Sequence, residues 1–273
     1  MFKYPCPGTG QMPSLTALTH NIFWGLGAPG SYRGQALRVM RYVRPTAQQK
    51  LVPHIIEALA WLRPDLVGLQ EVDGGSRRNG RVSQADKIAR ALGYSVSFGP
   101  EKTRFGLHEG NALLTSLPVE GISVVKLPAY TEPRNAVVAK VRAGDAQIRV
   151  VVTHLAMPFL VMDQRRQIRA LASLLGPARL PTIVMGDFNC EPKSRAFRAF
   201  LRATRLRPVS ILPSYPAFAV RWAYDNILVS PHFDVIEAQV VPLWVSDHLP
   251  VMARLALKPE ALAIATVPES ARA

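Results

Sequence analysis

The sequence predicts an α/β fold built on mixed sheets, and three observations carry that prediction. Apolar runs of strand length outnumber amphipathic stretches of helix length, several runs follow one another with only a turn between, and no linker or internal repeat divides the chain. Runs that adjoin directly pair antiparallel, so the sheets are not purely parallel. At 273 residues the chain can bury a sizeable core, and 48% hydrophobic with 19% charged residues is a globular balance. The expected division is a disordered extension over 1–13, a single domain over 14–258 and a frayed tail over 259–273.

The first strand is expected over 15–23, ending at Gly25, with Asn21 on the face of Leu15, Ala17 and Thr19 by the two-residue period. His20 alternates onto the other face and reads as a packing residue. Residues 28–45 are Gly- and Arg-rich and read as a surface loop with a short helical piece. A helix over 48–61 gathers Leu51, Ile55, Ala58, Leu59 and Leu62 on one side and stops at Arg63-Pro64. A buried strand over 65–72 ends in Gln70-Glu71, and a polar loop over 73–82 leads into a helix over 83–92 closed by Gly93.

Strands are then expected over 94–98, 110–116, 121–127, 134–143 and 147–154, followed by a helix over 163–175 ending at Gly176-Pro177. The apolar run 182–185 reads as a buried strand delivering Gly186-Asp187-Phe188-Asn189. A helix over 193–205 and strands over 224–229, 233–241 and 251–256 complete the series. The apolar run 240–245 is likewise read as a buried strand, delivering Ser246-Asp247-His248-Leu249-Pro250.

The charge is lopsided: 33 Lys plus Arg against 19 Asp plus Glu gives +14. Such a balance favours anionic partners (nucleic acid, lipid headgroups, phosphorylated small molecules), the plainer alternative being the general solubility of an Arg- and Ala-rich chain. Arg165, Arg166 and Arg169 open the helix after His154, and Arg195, Arg198, Arg202 and Arg205 recur opposite Phe197, Phe200 and Leu201. These rows read either as solvated helix faces or as a surface that tracks a polyanion. Cys6 and Cys190 cannot make a disulfide framework, which suits a reducing compartment, and Cys190 reads as a packing residue with no activating cation beside it. The first residues lack the apolar core of a secretory signal, and no stretch reaches the roughly 18 apolar residues of a spanning helix. A cytoplasmic protein is expected.

Five segments end in polar residues that suit a site better than a core: Asn21; Gln70 and Glu71; Thr153 and His154; Asp187 and Asn189; Asp247 and His248. Asp225 is a sixth. Any one alone reads as a turn former, a cap or a satisfied core polar group; their number carries the functional reading. Carboxylates, carboxamides and imidazoles at strand ends suggest hard oxygen ligands for Mg²⁺ or Mn²⁺ together with a proton-transfer group, a combination suited to hydrolysing a phosphate ester. Two carboxylates about 4 Å apart repel by roughly 4 kcal/mol at an effective dielectric near 20, which a cation or raised pKa values must offset.

In order along the chain, Thr19-His20-Asn21-Ile22, Leu69-Gln70-Glu71-Val72, Gly110-Asn111-Ala112-Leu113-Leu114-Thr115, Glu132-Pro133-Arg134-Asn135-Ala136, Thr153-His154-Leu155, Gly186-Asp187-Phe188-Asn189, Tyr224-Asp225-Asn226-Ile227-Leu228-Val229-Ser230 and Ser246-Asp247-His248-Leu249-Pro250 resemble the endonuclease/exonuclease/phosphatase superfamily. That superfamily includes pancreatic-type DNases, AP endonucleases, sphingomyelinases and inositol polyphosphate 5-phosphatases. The resemblance implies a four-layer α/β/β/α sandwich and a site at one edge of two packed sheets. It implies Glu71 as the main metal ligand, supported by Asn21 and Asp247, with Mg²⁺ or Mn²⁺ as cofactor. Asp187 and Asn189 would position and polarise the attacking water, and Asp225 would hold His248, a general base or phosphate ligand. His154 would bind phosphate oxygens or protonate the leaving group. Members differ over whether the Asp or the His is the base, and both readings stay open. Asn111, Arg134 and Arg165 are the expected substrate contacts, with a structural salt bridge the alternative for Arg134.

Three positions depart from the family pattern: His20 stands where an aromatic is usual, Tyr224 where an aliphatic precedes the Asp, and Asn226 where an aromatic follows it. Thr153-His154-Leu155 resembles the phosphatase, sphingomyelinase and DNase branches more than the AP endonucleases. The implied activity is metal-dependent phosphodiester hydrolysis. The alternatives are a nuclease on polyanionic substrate, a phosphomonoesterase on an inositol, sugar or nucleotide phosphate, and, remotely, a non-catalytic anion-binding module. A monomer without an obligate protein partner is expected.

Overall fold

The structure is a computed structural model describing residues 14–40, 51–104, 107–259 and 261. The expected extension over 1–13, the start of the 48–61 helix and nearly all of the 259–273 tail lie outside the described residues.

The chain opens with β1 (Ser14–Asn21), a short 3-10 turn (Phe23–Gly25) and α1 (Tyr32–Met40). Next come α2 (Val52–Leu62), β2 (Leu66–Asp73), α3 (Gln84–Leu92), β3 (Ser95–Arg104), β4 (Leu107–Thr115), β5 (Val119–Leu127), β6 (Arg134–Ala143) and β7 (Ala146–His154). The last part holds α4 (Val161–Leu175), β8 (Thr182–Asp187), α5 (Arg195–Thr204), β9 (Arg207–Pro208), β10 (Asp225–Val229), β11 (Phe233–Val240) and β12 (Val251–Leu257). Helix ends follow local chemistry. The hydroxyls of Ser83 and Ser194 cap α3 and α5 by accepting from Asp86 N and Phe197 N, while α2 turns left-handed at Arg63 just before Pro64.

The strands form two mixed six-stranded sheets, ordered β11-β12-β1-β2-β4-β3 and β5-β6-β7-β8-β10-β9. Among the described strands only β1/β2 and β7/β8 run parallel, each pair spanned by a segment carrying one or more helices; the other pairs are antiparallel. The sheets stack face to face, β1 and β2 over β7, β8 and β10. Leu15, Ala17, Leu66 and Leu113 meet Val137, Val150, Val152, Ile183, Met185 and Ile227 between them. The outer face of the first sheet buries Leu18, Val67 and Leu69 against Ile55 and Leu59 of α2 and Ile88 of α3. The outer face of the second buries Val151, Val184 and Leu228 against Ile168 and Leu171 of α4 and Phe197 and Phe200 of α5. The layering is therefore the expected α/β/β/α sandwich. Successive side chains of a strand point to opposite faces, and with both faces covered the central strands read as near-continuous apolar runs.

One glycine lets the two sheets close and another lets two neighbouring strands close. A Cβ on Gly68 would sit 2.8 Å from Met185 of the facing sheet, and one on Gly186 would sit 1.8 Å from Thr153 O. Gly186, at φ +154, is thus what allows β8 to lie against β7 and bring Asp187 beside His154.

One expectation needs correction. The run 240–245 is not a strand: β11 ends at Val240, and 241–250 form a loop that precedes β12. Pro242 has no N–H for a ladder, and the loop instead ties back through Val241 N donating to Pro250 O. Asp247 and His248 therefore reach the site from a loop and not from a strand end. The 94–98 strand is also longer than expected, pairing with β4 as a hairpin from Ser95 to Arg104.

Candidate active site

The polar ends of β1, β2, β4, β6, β7, β8 and β10 and the loop before β12 converge at one edge of the two sheets. Asn21 bridges two of them: its Nδ2 donates to Glu71 Oε1 at 3.2 Å and to Asp187 Oδ2 at 3.1 Å. Its carboxamide oxygen accepts from Phe23 N.

Glu71 owes its aim to a β-bulge. Leu69 pairs with Ala112 and Val72 with Gly110, so Gln70 and Glu71 together oppose Asn111 alone. Glu71 adopts φ +53, a left-handed conformation unusual for a non-glycine residue, and its side chain meets Asn21 where plain alternation would carry it to the helix-covered face beside Leu69. Such local strain is characteristic of functional positions. Asn189 is likewise left-handed, at φ +50.

Asp187 Oδ2 lies between two imidazoles, 3.5 Å from His154 Nε2 and 3.7 Å from His248 Nε2. Its other oxygen accepts from Asn189 N at 2.8 Å. Burial, reinforced by the charge of Asp225 and opposed by His248, raises the Asp187 carboxyl to about 6. Nδ1 of His248 donates to Asp225 Oδ2 at 2.7 Å, and the same oxygen accepts from Ser214 Oγ at 2.6 Å. Burial works against a charge on His248, but Asp225 and Asp187 outweigh it and push the imidazole up to about 10. His248 is therefore an imidazolium at neutral pH.

His154 Nδ1 stands 3.0 Å from Arg134 Nη1. A guanidinium can only donate, so Nδ1 accepts from Arg134, while Nε2 faces Asp187 Oδ2 at 3.5 Å and Asn189 Nδ2 at 3.1 Å. Arg134 is buried and held by Glu101 and Glu132, each at 2.8 Å. Burial opposes its charge, yet the two glutamates hold its pKa above the ordinary arginine value. The salt-bridge reading of Arg134 is the one its surroundings support.

Asn111 is fully buried between the sheets, its Nδ2 donating to Glu101 Oε1 and Asn135 Oδ1. Arg165 is the expected site residue that the fold does not bring in. It lines a groove between α4 and α5, with Arg169 and Arg195. His20 packs as expected, donating from Nε2 to the His248 carbonyl, and burial depresses it to about 4. Cys190 is buried, and its thiol is pushed up to about 12 by burial, as befits a packing residue.

Fit to a cation rests on orphaned oxygens. Among the described residues Glu71 Oε2, Asn111 Oδ1 and Asp225 Oδ1 are buried with no hydrogen-bond partner. Glu71 is pushed up to about 8 by burial and by the charges of Asp247 and Glu109. Asp247, also raised by burial, accepts from Gln35 Nε2 and Ser246 Oγ. Buried carboxylates that repel one another and keep a free oxygen are suited to a hard divalent ion. A second group, Asp187, Asp225 and His248, has ligand atoms all within 4.8 Å of one another. Its close Asp225–His248 bond and the charge on His248 make it a proton-holding chain in the metal-free arrangement.

Several members of the site carried no signal in the sequence. Gln35 holds Asp247 and is itself bonded to Tyr215, Ser214 holds Asp225, and Glu101 holds Arg134; all are distant in sequence from the groups they serve. Glu109 directly precedes the Gly110-Asn111 motif, and that adjacency could have flagged it.

Comparison with known proteins agrees with this geometry. Residues 18–248 match the Endonuclease/Exonuclease/phosphatase family model. No curated protein matches the chain in sequence. A solved endonuclease/exonuclease/phosphatase from Beutenbergia cavernae superposes with a TM-score of 0.73 at 23% identity, covering 90% of this chain and 72% of that one. The mannosyl-6-phosphatase Bt3783 of Bacteroides thetaiotaomicron gives 0.67 at 16% identity, over 89% of this chain and 100% of that one. The human Nocturnin catalytic domain, with a bound sulfate anion, gives 0.65 at 20%, over 90% and 94%. The match extends from β1 to His248 and takes in every segment that meets at the sheet edge: this chain belongs to the endonuclease/exonuclease/phosphatase family, whose members are phosphoester hydrolases.

Proposed function

We propose that the chain is a divalent-metal-dependent phosphodiesterase whose hydrolytic centre is the cluster of Asn21, Glu71, His154, Asp187, Asn189, Asp225, Asp247 and His248. The observation that carries this reading is the unbroken hydrogen-bonded run from Glu71 through Asn21 to Asp187, with an imidazole on either side of Asp187.

Glu71 and Asp247 would hold Mg²⁺ or Mn²⁺, with Asn21 beside them. When bound there, the ion would supply positive charge to the phosphate and to the leaving oxygen. Asp187, raised to about 6, is ionised at neutral pH yet basic enough to take a proton from water, and its bonds from Asn21 and Asn189 fix its direction. It is therefore the better base of the two candidates, since His248 already carries its proton. His248 donates toward the non-bridging oxygens and stabilises the charge that develops there, with the His154 imidazole across Asp187 from it. The water oxygen bonds to phosphorus as its proton passes to Asp187, the ester P–O bond breaks, and the leaving oxygen takes a proton from solvent, so the products are an alcohol and a phosphomonoester.

A diester suits the site's electrostatics. Arg134 is paired with Glu101 and Glu132, so among the described residues His248 and this salt-bridged arginine are the cations beside four buried acids, Glu71, Asp187, Asp225 and Asp247. Even with a divalent ion bound, that balance favours a monoanionic diester over a dianionic monoester. The test is an assay of the purified chain with Mg²⁺ or Mn²⁺ and with EDTA against a bis-aryl phosphodiester, plasmid DNA, RNA, sphingomyelin and inositol phosphates. Metal-dependent cleavage of diesters supports the reading; preference for monoesters, or equal turnover in EDTA, contradicts it.

A further inference from the structure

Beside the site a block of large apolar side chains stands out in solvent. Phe159 is 75% exposed, Tyr130 67% and Met162 61%, and Val161 is exposed beside them. Loose loops fold such groups inward, whereas these are held out by a buried frame. The Asp163 carboxylate, at the start of α4, accepts from the backbone N–H groups of Tyr130, Thr131 and Glu132 and from the Thr131 hydroxyl, at 2.6–2.9 Å. Gln167 Oε1 accepts from Ala156 N, and Glu132 Oε2 from Met157 N. The β5–β6 loop, the β7–α4 loop and the first turns of α4 are thus one hydrogen-bonded unit.

The charge on this face has a single sign. Glu132 and Asp163 are the acids of segments 128–133 and 155–170, and both are buried in the frame. Arg165, Arg166 and Arg169 point outward, the Arg166 guanidinium lying 4.2 Å from the centre of the Tyr130 ring. The face runs into the α4–α5 groove of about 910 Å³, which has Ile168, Ala172 and Phe200 in its lining and Arg165, Arg169 and Arg195 beside them.

We propose that this face docks on an anionic lipid surface. Aromatic and aliphatic tips ringed by arginines match the two layers of a bilayer boundary: the tips enter the acyl margin and the guanidiniums meet lipid phosphates. Exposed apolar clusters rimmed by polar residues mark interaction surfaces. A nucleic acid would satisfy the arginines but offers nothing to Val161 and Met162. Docking turns the site toward the headgroups, because Met157 lies three residues beyond His154 and Gln164 Nε2 donates to Asn189 O at 2.8 Å. It uses none of the hydrolytic residues.

The test is co-sedimentation of the full chain with vesicles of phosphatidylcholine alone and of phosphatidylcholine with phosphatidylglycerol, at low and high salt. Binding to the anionic vesicles, weakened by salt, is expected. The pair Phe159→Ser/Met162→Ser lowers partitioning about tenfold or more, while thermal melting and hydrolysis of a soluble diester stay at wild-type levels. Arg166→Gln/Arg169→Gln lowers it by about tenfold or more as well. Wild-type protein left in the supernatant with both vesicles overturns docking, as does undiminished binding of the serine pair. So does loss in that pair of self-association or of nucleic-acid binding in place of vesicle binding. Vesicle binding without any hydrolysis leaves docking standing and removes the phosphodiesterase reading.

Discussion

His248 Nδ1 lies 2.7 Å from Asp225 Oδ2 in a pair that is almost wholly buried, and Ser214 Oγ holds the same oxygen from the other side. The pair keeps a proton on His248 well above neutral pH, where burial alone would strip it off. The folded-state value is raised from 6.5 to about 10, so the stability it contributes is fully present below pH 6.5 and is lost as pH climbs through about 10. Asp225→Asn should flatten that loss in urea unfolding measured in EDTA from pH 6 to 10, and should lower kcat by about 10²–10⁴. An unchanged pH profile in the variant would remove the pair from both roles.

Metal binding should release protons. Glu71, raised to about 8 by burial and then by Asp247 and Glu109, carries a proton at neutral pH until a cation displaces it. Apparent Mg²⁺ affinity should therefore rise with pH up to about 8 and level off above it. Calorimetry at pH 7 in buffers of different ionisation heat should show net proton release.

Arg134→Ala should behave as a structural lesion. It leaves Glu101 and Glu132 buried without their cation, and removal of one partner from such a buried group costs roughly 3–5 kcal/mol. Denaturant midpoints of the metal-free protein check this. A variant as stable as the wild type but with a raised KM would return Arg134 to the role of a substrate contact.

Gly186→Ala tests the approach of β7 and β8. The added methyl would meet Thr153 O at 1.8 Å, so the strands must part where His154 and Asp187 are set. A loss of about 3 kcal/mol is expected from overpacking and strain, with turnover falling further than stability because the site geometry opens.

The run Thr182–Met185 into Gly186-Asp187 was legible because strand and site coincide there: the apolar alternation ends where the chemistry begins. The mixed α/β sheets were legible because helix and strand periods persist along the chain, whereas the four layers followed only from the family resemblance. Glu71 was legible as a residue but not in its aim, which depends on a bulge that no hydrophobic pattern records. The loop bearing Asp247 and His248 misled because its apolar residues pack against the core without forming a ladder. Gln35, Ser214 and Tyr215 were hidden for a different reason. They join the site through contacts whose sequence separation local pattern cannot bridge. Arg165, expected as a substrate contact, is carried by its helix to the groove between α4 and α5.

The most direct test of the hydrolytic centre is Glu71→Gln, read by Mg²⁺-dependent hydrolysis of a bis-aryl phosphodiester and by thermal melting with and without Mg²⁺. Wild type should gain about 2.7 kcal/mol of stability at a hundredfold excess of Mg²⁺ over its Kd. Glu71→Gln should lose most of that gain and about 10³-fold or more in turnover, while melting without metal at or above the wild-type temperature, because a repelled buried carboxyl has been removed. A variant that keeps both near-full turnover and the Mg²⁺-induced stabilisation would contradict the account.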